Sequence, residues 1–309
     1  MILCLTLNAA IDKTVVVSPF RLNAIHRPQE VLALAGGKGC NVARALRTLG
    51  ADALVSGWAG GFAGQLIEAR LHAEGIKTAF VHTESESRMC FSILDPEGGT
   101  LTEVYEKGEP IAADRQAALL ERVREALPGC AAVALSGSLP AGVPTDFYAR
   151  LIEIAVAAGI PAYLDSSGPA LAHGLAAQPC AIKPNRAEFA DLTGSDAADI
   201  AGCAEAAARV AAERGVLVVL SLGADGAIAA DGRTILHARP PRLEIVSAVG
   251  SGDCLLAGVI YGLTQGWPLA EALACGTAAG TANALSIGAG RFTRTDYDRV
   301  REQVNVAIL

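Results

Sequence analysis

With 309 residues, 51% of them hydrophobic, the chain carries enough apolar material for one large α/β domain with an appendage. A formal net charge of −7 and a pI near 5.3 exclude a broad nucleic-acid surface, so an anionic ligand must be gathered by a local cluster of Lys and Arg. The eight cysteines form no C-x-x-C pair and sit mostly among apolar or small residues, as reduced buried thiols do, which points to the cytoplasm. No apolar run reaches membrane-spanning length, since even the Ala-rich stretch 268–290 contains Glu271 and Asn283.

In chain order, residues 1–7 read as a buried strand, without the basic start and cleavage-like tail of a signal peptide. Short β-type runs follow at 13–17, 29–34, 89–94 and 101–105, broken by helix-like stretches at 40–49 and 62–74. They predict a small separate sheet. Its pieces interleave with core segments, so it is expected as a lid, formed by about 10–35 and 87–107, on a single domain spanning 1–309. Beyond residue 107, strand candidates at 131–136, 161–165, 180–183 and 216–220 alternate with helical stretches such as 114–127, 144–158 and 203–214, the pattern of parallel β-α units. These strands end in polar or glycine-containing clusters: Ser136-Gly137-Ser138, Asp165-Ser166-Ser167-Gly168, Lys183-Pro184-Asn185 and Ser221-Leu222-Gly223. Ligands of open α/β sheets gather outside the carboxyl ends of strands, so the clusters mark one rim.

Two glycine-rich segments carry chemistry. Gly36-Gly37-Lys38-Gly39-Cys40-Asn41 leads a loop into a helix, and its glycines let the backbone approach a polyhydroxylated ligand; a tight turn with a solvated lysine is the alternative. The G-x-x-x-x-G-K-[ST] spacing of a P-loop is absent. Val249-Gly250-Ser251-Gly252-Asp253 opens a second helix, where free amides and the helix dipole attract phosphate or a developing phosphoryl oxyanion. Asp253 there either takes a proton from a hydroxyl during phosphoryl transfer or merely caps the helix start. Asn185-x-x-Glu188 likewise reads as a ligand contact, as a helix capping box, or as both. Arg27, Lys38 and Arg88 are the cations available for a basic cluster, although an exposed Arg is commonly only a solvated side chain. The five histidines are scattered without metal spacing.

Together the two glycine segments resemble the paired signature of the ribokinase-like sugar kinases, the PfkB family. Thr6-Leu7-Asn8-x-x-x-Asp12, Ser136-Gly137-Ser138-Leu139-Pro140, Lys183-Pro184-Asn185-x-x-Glu188 and Ser221-Leu222-Gly223-Ala224-Asp225-Gly226-Ala227 resemble the 1-phosphofructokinase and tagatose-6-phosphate kinase branch, and the match runs nearly end to end. The resemblance implies a three-layer α/β/α core with a mostly parallel sheet and a small β-sheet lid. It implies that Asp253 is the catalytic base and that the amides of Gly250, Ser251 and Gly252 form an anion hole. Asp12, Gly37 and Asn41 would hold sugar hydroxyls, with Ser136 and Ser138 on the same side. Lys38, Arg88 and Arg27 would bind the substrate's phosphate, Arg27 reaching across a homodimer. Lys183 and Asn185 would lie by the triphosphate of ATP, Glu188 by its Mg²⁺ through water, and Ser221, Gly223, Ala224, Gly226 and Asn283 on the adenine side. Departures are Ala9 after Asn8, Ser251 in the anion hole and Cys254 after the Asp, none of which removes a catalytic group. Ser251 leans to the tagatose-type branch, whereas 245–249 and 259–263 look more like fructose-1-phosphate kinases. The implied activity is phosphorylation of a ketohexose monophosphate, fructose 1-phosphate before tagatose 6-phosphate and then fructose 6-phosphate. A non-catalytic sugar-phosphate or nucleotide sensor is the competing class.

Overall fold

The first strand, β1 (Ile2–Thr6), is buried along all five residues, as a strand covered on both faces must be. A computed structural model describes residues 1–195 and 199–309. After β1 come β2 (Ala10–Val16), β3 (Glu30–Gly36), α1 (Lys38–Leu49), β4 (Ala53–Gly60), α2 (Gly61–Ala73), the short β5 (Lys77–Thr78) and β6 (Val81–Thr83), β7 (Arg88–Asp95) and β8 (Thr100–Tyr105). Helices and strands then alternate: α3 (Ala113–Ala126), β9 (Ala132–Ser136), α4 (Phe147–Ala157), β10 (Ala162–Asp165), α5 (Gly168–Ala176), β11 (Ala181–Ile182), α6 (Arg186–Thr193), α7 (Ile200–Arg214) and β12 (Leu217–Ser221). The chain closes with β13 (Ala227–Ala230), β14 (Ile235–Arg239), α8 (Ser251–Thr264), α9 (Leu269–Asn283), α10 (Arg294–Arg301) and β15 (Asn305–Ile308).

The large sheet runs β15-β14-β13-β12-β11-β10-β9-β1-β4-β5, with β6 against the end of β4. From β12 to β5 it is parallel, and β13, β14 and β15 add an antiparallel edge. Strand alternation sends Leu3, Leu5, Val133 and Leu135 to one face, packed against α3, α4, α5 and α7, and sends Ile2, Cys4, Ala132 and Ala134 to the other, packed against α1, α2, α8 and α9. The result is a three-layer α/β/α core. Register sets the rim: Thr6 pairs with Ser136, and Ser136 with Asp165, so three strand ends open side by side.

The second sheet has the order β3-β2-β7-β8. Asp12 pairs with Leu34 and Cys90, and this face looks across a cleft at Val249, Gly288 and Ala289. The opposite face carries Lys13, Phe91 and Val104 in one register row. The separate small sheet expected from the sequence is therefore present, with β2 beginning three residues earlier than the pattern suggested and β3 running on to Gly36.

Candidate active site

Asp253 stands in the first turn of α8 and is 5% exposed. The helix begins there because Gly250 takes a left-handed φ of 84°, and a Cβ at that position would lie 2.7 Å from the Cα of Ala289. Ser251 N–H donates to Ala248 O at 3.1 Å, whereas among the described residues the amides of Gly250 and Gly252 have no protein acceptor. Those two donors point from the positive end of the helix dipole.

Four groups converge on Asp253. Asn41, in the first turn of α1, donates from Nδ2 to Asp253 Oδ2 at 2.8 Å. Lys38 Nζ pairs with Asp165 Oδ1 at 2.9 Å, and Lys183 Nζ with Asp165 Oδ2 at 3.1 Å, so a fully buried carboxylate at the end of β10 tethers two ammonium groups. Burial works against the charge of Asp165, but Lys183 and Lys38 outweigh it and hold the carboxyl below its ordinary range. Burial also opposes the Lys38 charge, yet Asp165 and then Asp253 push that ammonium well above its usual value. Asp253 itself is pushed up to about 7, first by burial and then by Asp165, with Lys38, the Asn41 bond and Lys183 pulling the other way. A carboxyl poised near neutrality between two cations is suited to accept a proton.

The neighbouring wall belongs to the second sheet. Asp12 is pushed up by burial and opposed by Arg88, Arg44, Cys90 and the Gly37 amide. A Cβ at Gly36 would fall 2.2 Å from the Asp12 carboxyl carbon, so any larger residue there would displace that carboxyl. Arg88, at the start of β7, donates from Nε and Nη2 to Asn8 O at 3.1 Å and from Nη1 to Glu106 O at 3.3 Å. Asn8 in turn donates to Ser138 Oγ at 3.2 Å, and Ser136 keeps a buried hydroxyl with no partner among the described residues.

Further along the rim, Asn185 and Glu188 form a reciprocal capping box at the start of α6, each side chain accepting from the other's backbone amide at 2.9 and 2.8 Å. Asn185 also bridges to Ser221 at the end of β12. Gly223 and Ala224 are exposed in the turn after β12, while Gly226 is buried with its Cα against Ala238. Asn283 lies inside, 0% exposed, donating to Val249 O at 2.8 Å and to Ser251 Oγ at 3.3 Å and accepting from Arg291 N–H at 3.1 Å. It ties down the loop that leads into α8. Arg27 is exposed on the loop between β2 and β3, outside this cluster.

A carboxyl at a helix start beside two lysines, on a rim of strand ends, is equipped for phosphoryl transfer. The model of the pfkB family carbohydrate kinases matches residues 5–296, and the chain belongs to that family. It is a sugar-phosphate kinase. A tagatose-6-phosphate kinase of Staphylococcus epidermidis is 33% identical over 309 residues, covering 99% of both chains. Phosphofructokinase-2 of Escherichia coli in complex with fructose-6-phosphate superposes with a TM-score of 0.90 at 28% identity over 98% of each chain. The tetrameric inhibited form of the same enzyme gives the same values.

Two residues of the site, Asp165 and Arg44, have no role in the sequence motifs above. Asp165 sits in a polar strand-end cluster and is the carboxylate that anchors both lysines; the signal was its place between Leu164 and Ser166 at the end of a buried strand. Arg44 is a charge amid Val42-Ala43 and Ala45-Leu46, a pattern that calls for a buried partner.

Proposed function

We propose that the chain transfers the γ-phosphoryl group of ATP to a primary hydroxyl of a ketohexose monophosphate, with Asp253 as the general base. The observation that carries this reading is the meeting of Asp253 with Asn41 and with the Lys38–Asp165–Lys183 cluster at the head of α8. The base takes the hydroxyl proton, and the Lys183 ammonium beside it favours charge developing on the phosphoryl oxygens. The amides of Gly250, Ser251 and Gly252 serve as the anion hole, Gly250 and Gly252 with the larger share because Ser251 N–H already has an acceptor. Asp12, Gly37 and Asn41 hold sugar hydroxyls, with Ser136 and Ser138 on the same side. Lys38, Arg88 and Arg27 take the sugar's own phosphate, for which planar guanidinium groups are well shaped. Lys183 and Asn185 face the triphosphate; Ser221, Gly223, Ala224 and Gly226 form the adenine side, backed from within by Asn283.

Mg²⁺ bound with the triphosphate offsets its charge, and the donor set suits that ion. Glu188 spends Oε2 on the Asn185 amide and keeps Oε1, and its charge is felt at Lys38. One carboxylate acting through water fits a cation that retains most of its waters.

Fructose 1-phosphate, phosphorylated at O6, is the first substrate, on the character of 245–249 and 259–263. Tagatose 6-phosphate, phosphorylated at O1, is the second reading, favoured by Ser251 and by the 33% identical relative; fructose 6-phosphate comes third. The protein acts as one domain whose second sheet is a lid, in the cytoplasm, as a homodimer joined through that lid; among the described residues no helix is long and apolar enough to cross a membrane. A coupled ADP-release assay with the three ketose phosphates tests the reading: turnover should be highest with fructose 1-phosphate. Binding of a sugar phosphate with no ADP release from any of the three would favour the sensor instead.

A further inference from the structure

Arg44 is charged, 6% exposed, and lies one helical turn beyond Asn41 on α1, away from the transferring group. Its guanidinium is almost fully committed. Nε donates to Glu74 Oε2 at 2.7 Å and Nη2 to Glu74 Oε1 at 3.3 Å; Nη2 also reaches Ala35 O at 2.9 Å. Nη1 donates to Ala289 O at 2.8 Å and to Asn41 Oδ1 at 3.2 Å. One side chain thus ties the end of β3, the 289 turn packed against Gly250, and Asn41 to the last residue of the α2 turn.

The chemistry of these bonds fixes a direction. Guanidinium has donors only, so the atom of the Asn41 amide that faces Arg44 has to be the oxygen. The amide nitrogen then has to face Asp253, where it donates to Oδ2 at 2.8 Å. With the amide reversed, an oxygen would confront the Asp253 carboxylate, and two acceptors in contact would drive the carboxyl to its protonated form.

We propose that Arg44 is a positioning residue for catalysis: by holding the Asn41 amide in one orientation, it keeps Asp253 aligned and ionised as the base. The proposal rests on Asp253 being that base. Other charges face Asp253 as well, Lys38 from α1, Asp165 from the end of β10 and Lys183 beyond β11, while Arg44 itself lies in the field of Asp12. A general loss of positive charge is therefore separable from a loss of orientation, because lysine at position 44 keeps the charge without the fork.

The test uses the full chain with Arg44→Lys, Arg44→Met and Glu74→Gln, each also combined with Asp253→Asn. Arg44→Lys and Arg44→Met should lower kcat by about tenfold or more, change the KM of ATP by less than about threefold, and move the acidic limb of the kcat/KM profile upward by about one pH unit. Glu74→Gln leaves Arg44 in place with a weaker anchor, so it should move the limb in the same direction by less, and it keeps the test open if the Arg44 variants do not fold. In the Asp253→Asn background none of the three should lower turnover further, because there is no base left to orient. Equal losses in both backgrounds, or an unmoved limb in Arg44→Lys and Glu74→Gln, would overturn the proposal. Full turnover by Asp253→Asn alone is a different result, and it would remove the base assignment first.

Discussion

In the proposed reaction Asp253 carries most of the chemistry, and its environment sets the pH dependence. The carboxyl has to be ionised to accept a proton, and it is pushed up to about 7, so kcat/KM should rise with pH through that region and level off above it. Lys38 pulls the Asp253 value down, and Lys38→Met should therefore move the rising limb to higher pH as well as weaken binding of the sugar phosphate; a limb that stays in place would detach Lys38 from the base. Stability should show the same group with the opposite sign. A carboxyl raised from an ordinary 3.8 favours folding at low pH, and that contribution is lost as pH climbs through about 7. Asp253→Asn should accordingly melt above the parent protein at pH 8, with the gap closing towards pH 5, as followed by circular dichroism. Both roles are read from burial and neighbours. The sequence shows the residue and its glycines, but the Asn41, Asp165 and Lys183 that tune it lie up to 212 positions away in the chain.

At the scale of elements, the head of α8 depends on backbone shape. Gly250→Ala would place a Cβ 2.7 Å from the Ala289 Cα at a φ of 84°, so it should cost about 1–3 kcal/mol of strain plus a displaced 289 turn, seen as a lower melting temperature and lost turnover together. Asn283→Ala removes three hydrogen bonds, to Val249 before α8, to Ser251 at its first residue and from Arg291 N–H, and should lower kcat more than it raises the KM of ATP. A change confined to the KM of ATP would instead assign Asn283 to the nucleotide wall itself. The parallel strands β9 to β12 were legible because branched and apolar runs alternate with helical stretches. The strand β4 was not, since Ser56-Gly57-Trp58-Ala59-Gly60 looks like a turn; it is a buried strand in which Gly57 passes close to the Thr6 carbonyl. The antiparallel edge was hidden for a similar reason, because Ala227-Ile228-Ala229-Ala230 has helix-forming residues whose strand state is imposed by pairing with β12 and β14. For α6, the capping box and the rim position proved compatible, as one oxygen of Glu188 is enough to cap the helix.

For the whole molecule, the proposed homodimer places its seam on the second sheet. Its outward face presents Val31, Phe91 and Val104, and the loop between β2 and β3 exposes Leu22 at 86% and Ile25 at 93% beside Arg27. In the proposed dimer two copies meet about a two-fold axis and cover that apolar surface, with Arg27 reaching the neighbouring site. Light scattering should give a dimer mass. Mixing Asp253→Asn with Arg27→Ala should restore sugar-phosphate affinity in hybrid dimers, where one site carries both defects and the other neither; a monomer without such recovery contradicts the shared site. What the sequence could not convey here is the register that puts Asp12 on one face and Phe91 on the other, since only the pairing of β2 with β7 fixes it. Whether this geometry transfers phosphoryl groups with Asp253 as base is decided by ADP release from the parent protein and from Asp253→Asn at saturating ATP, Mg²⁺ and fructose 1-phosphate. Turnover of Asp253→Asn should fall by roughly 10²- to 10⁴-fold with both ligands still bound; near-parental turnover would remove Asp253 as the base.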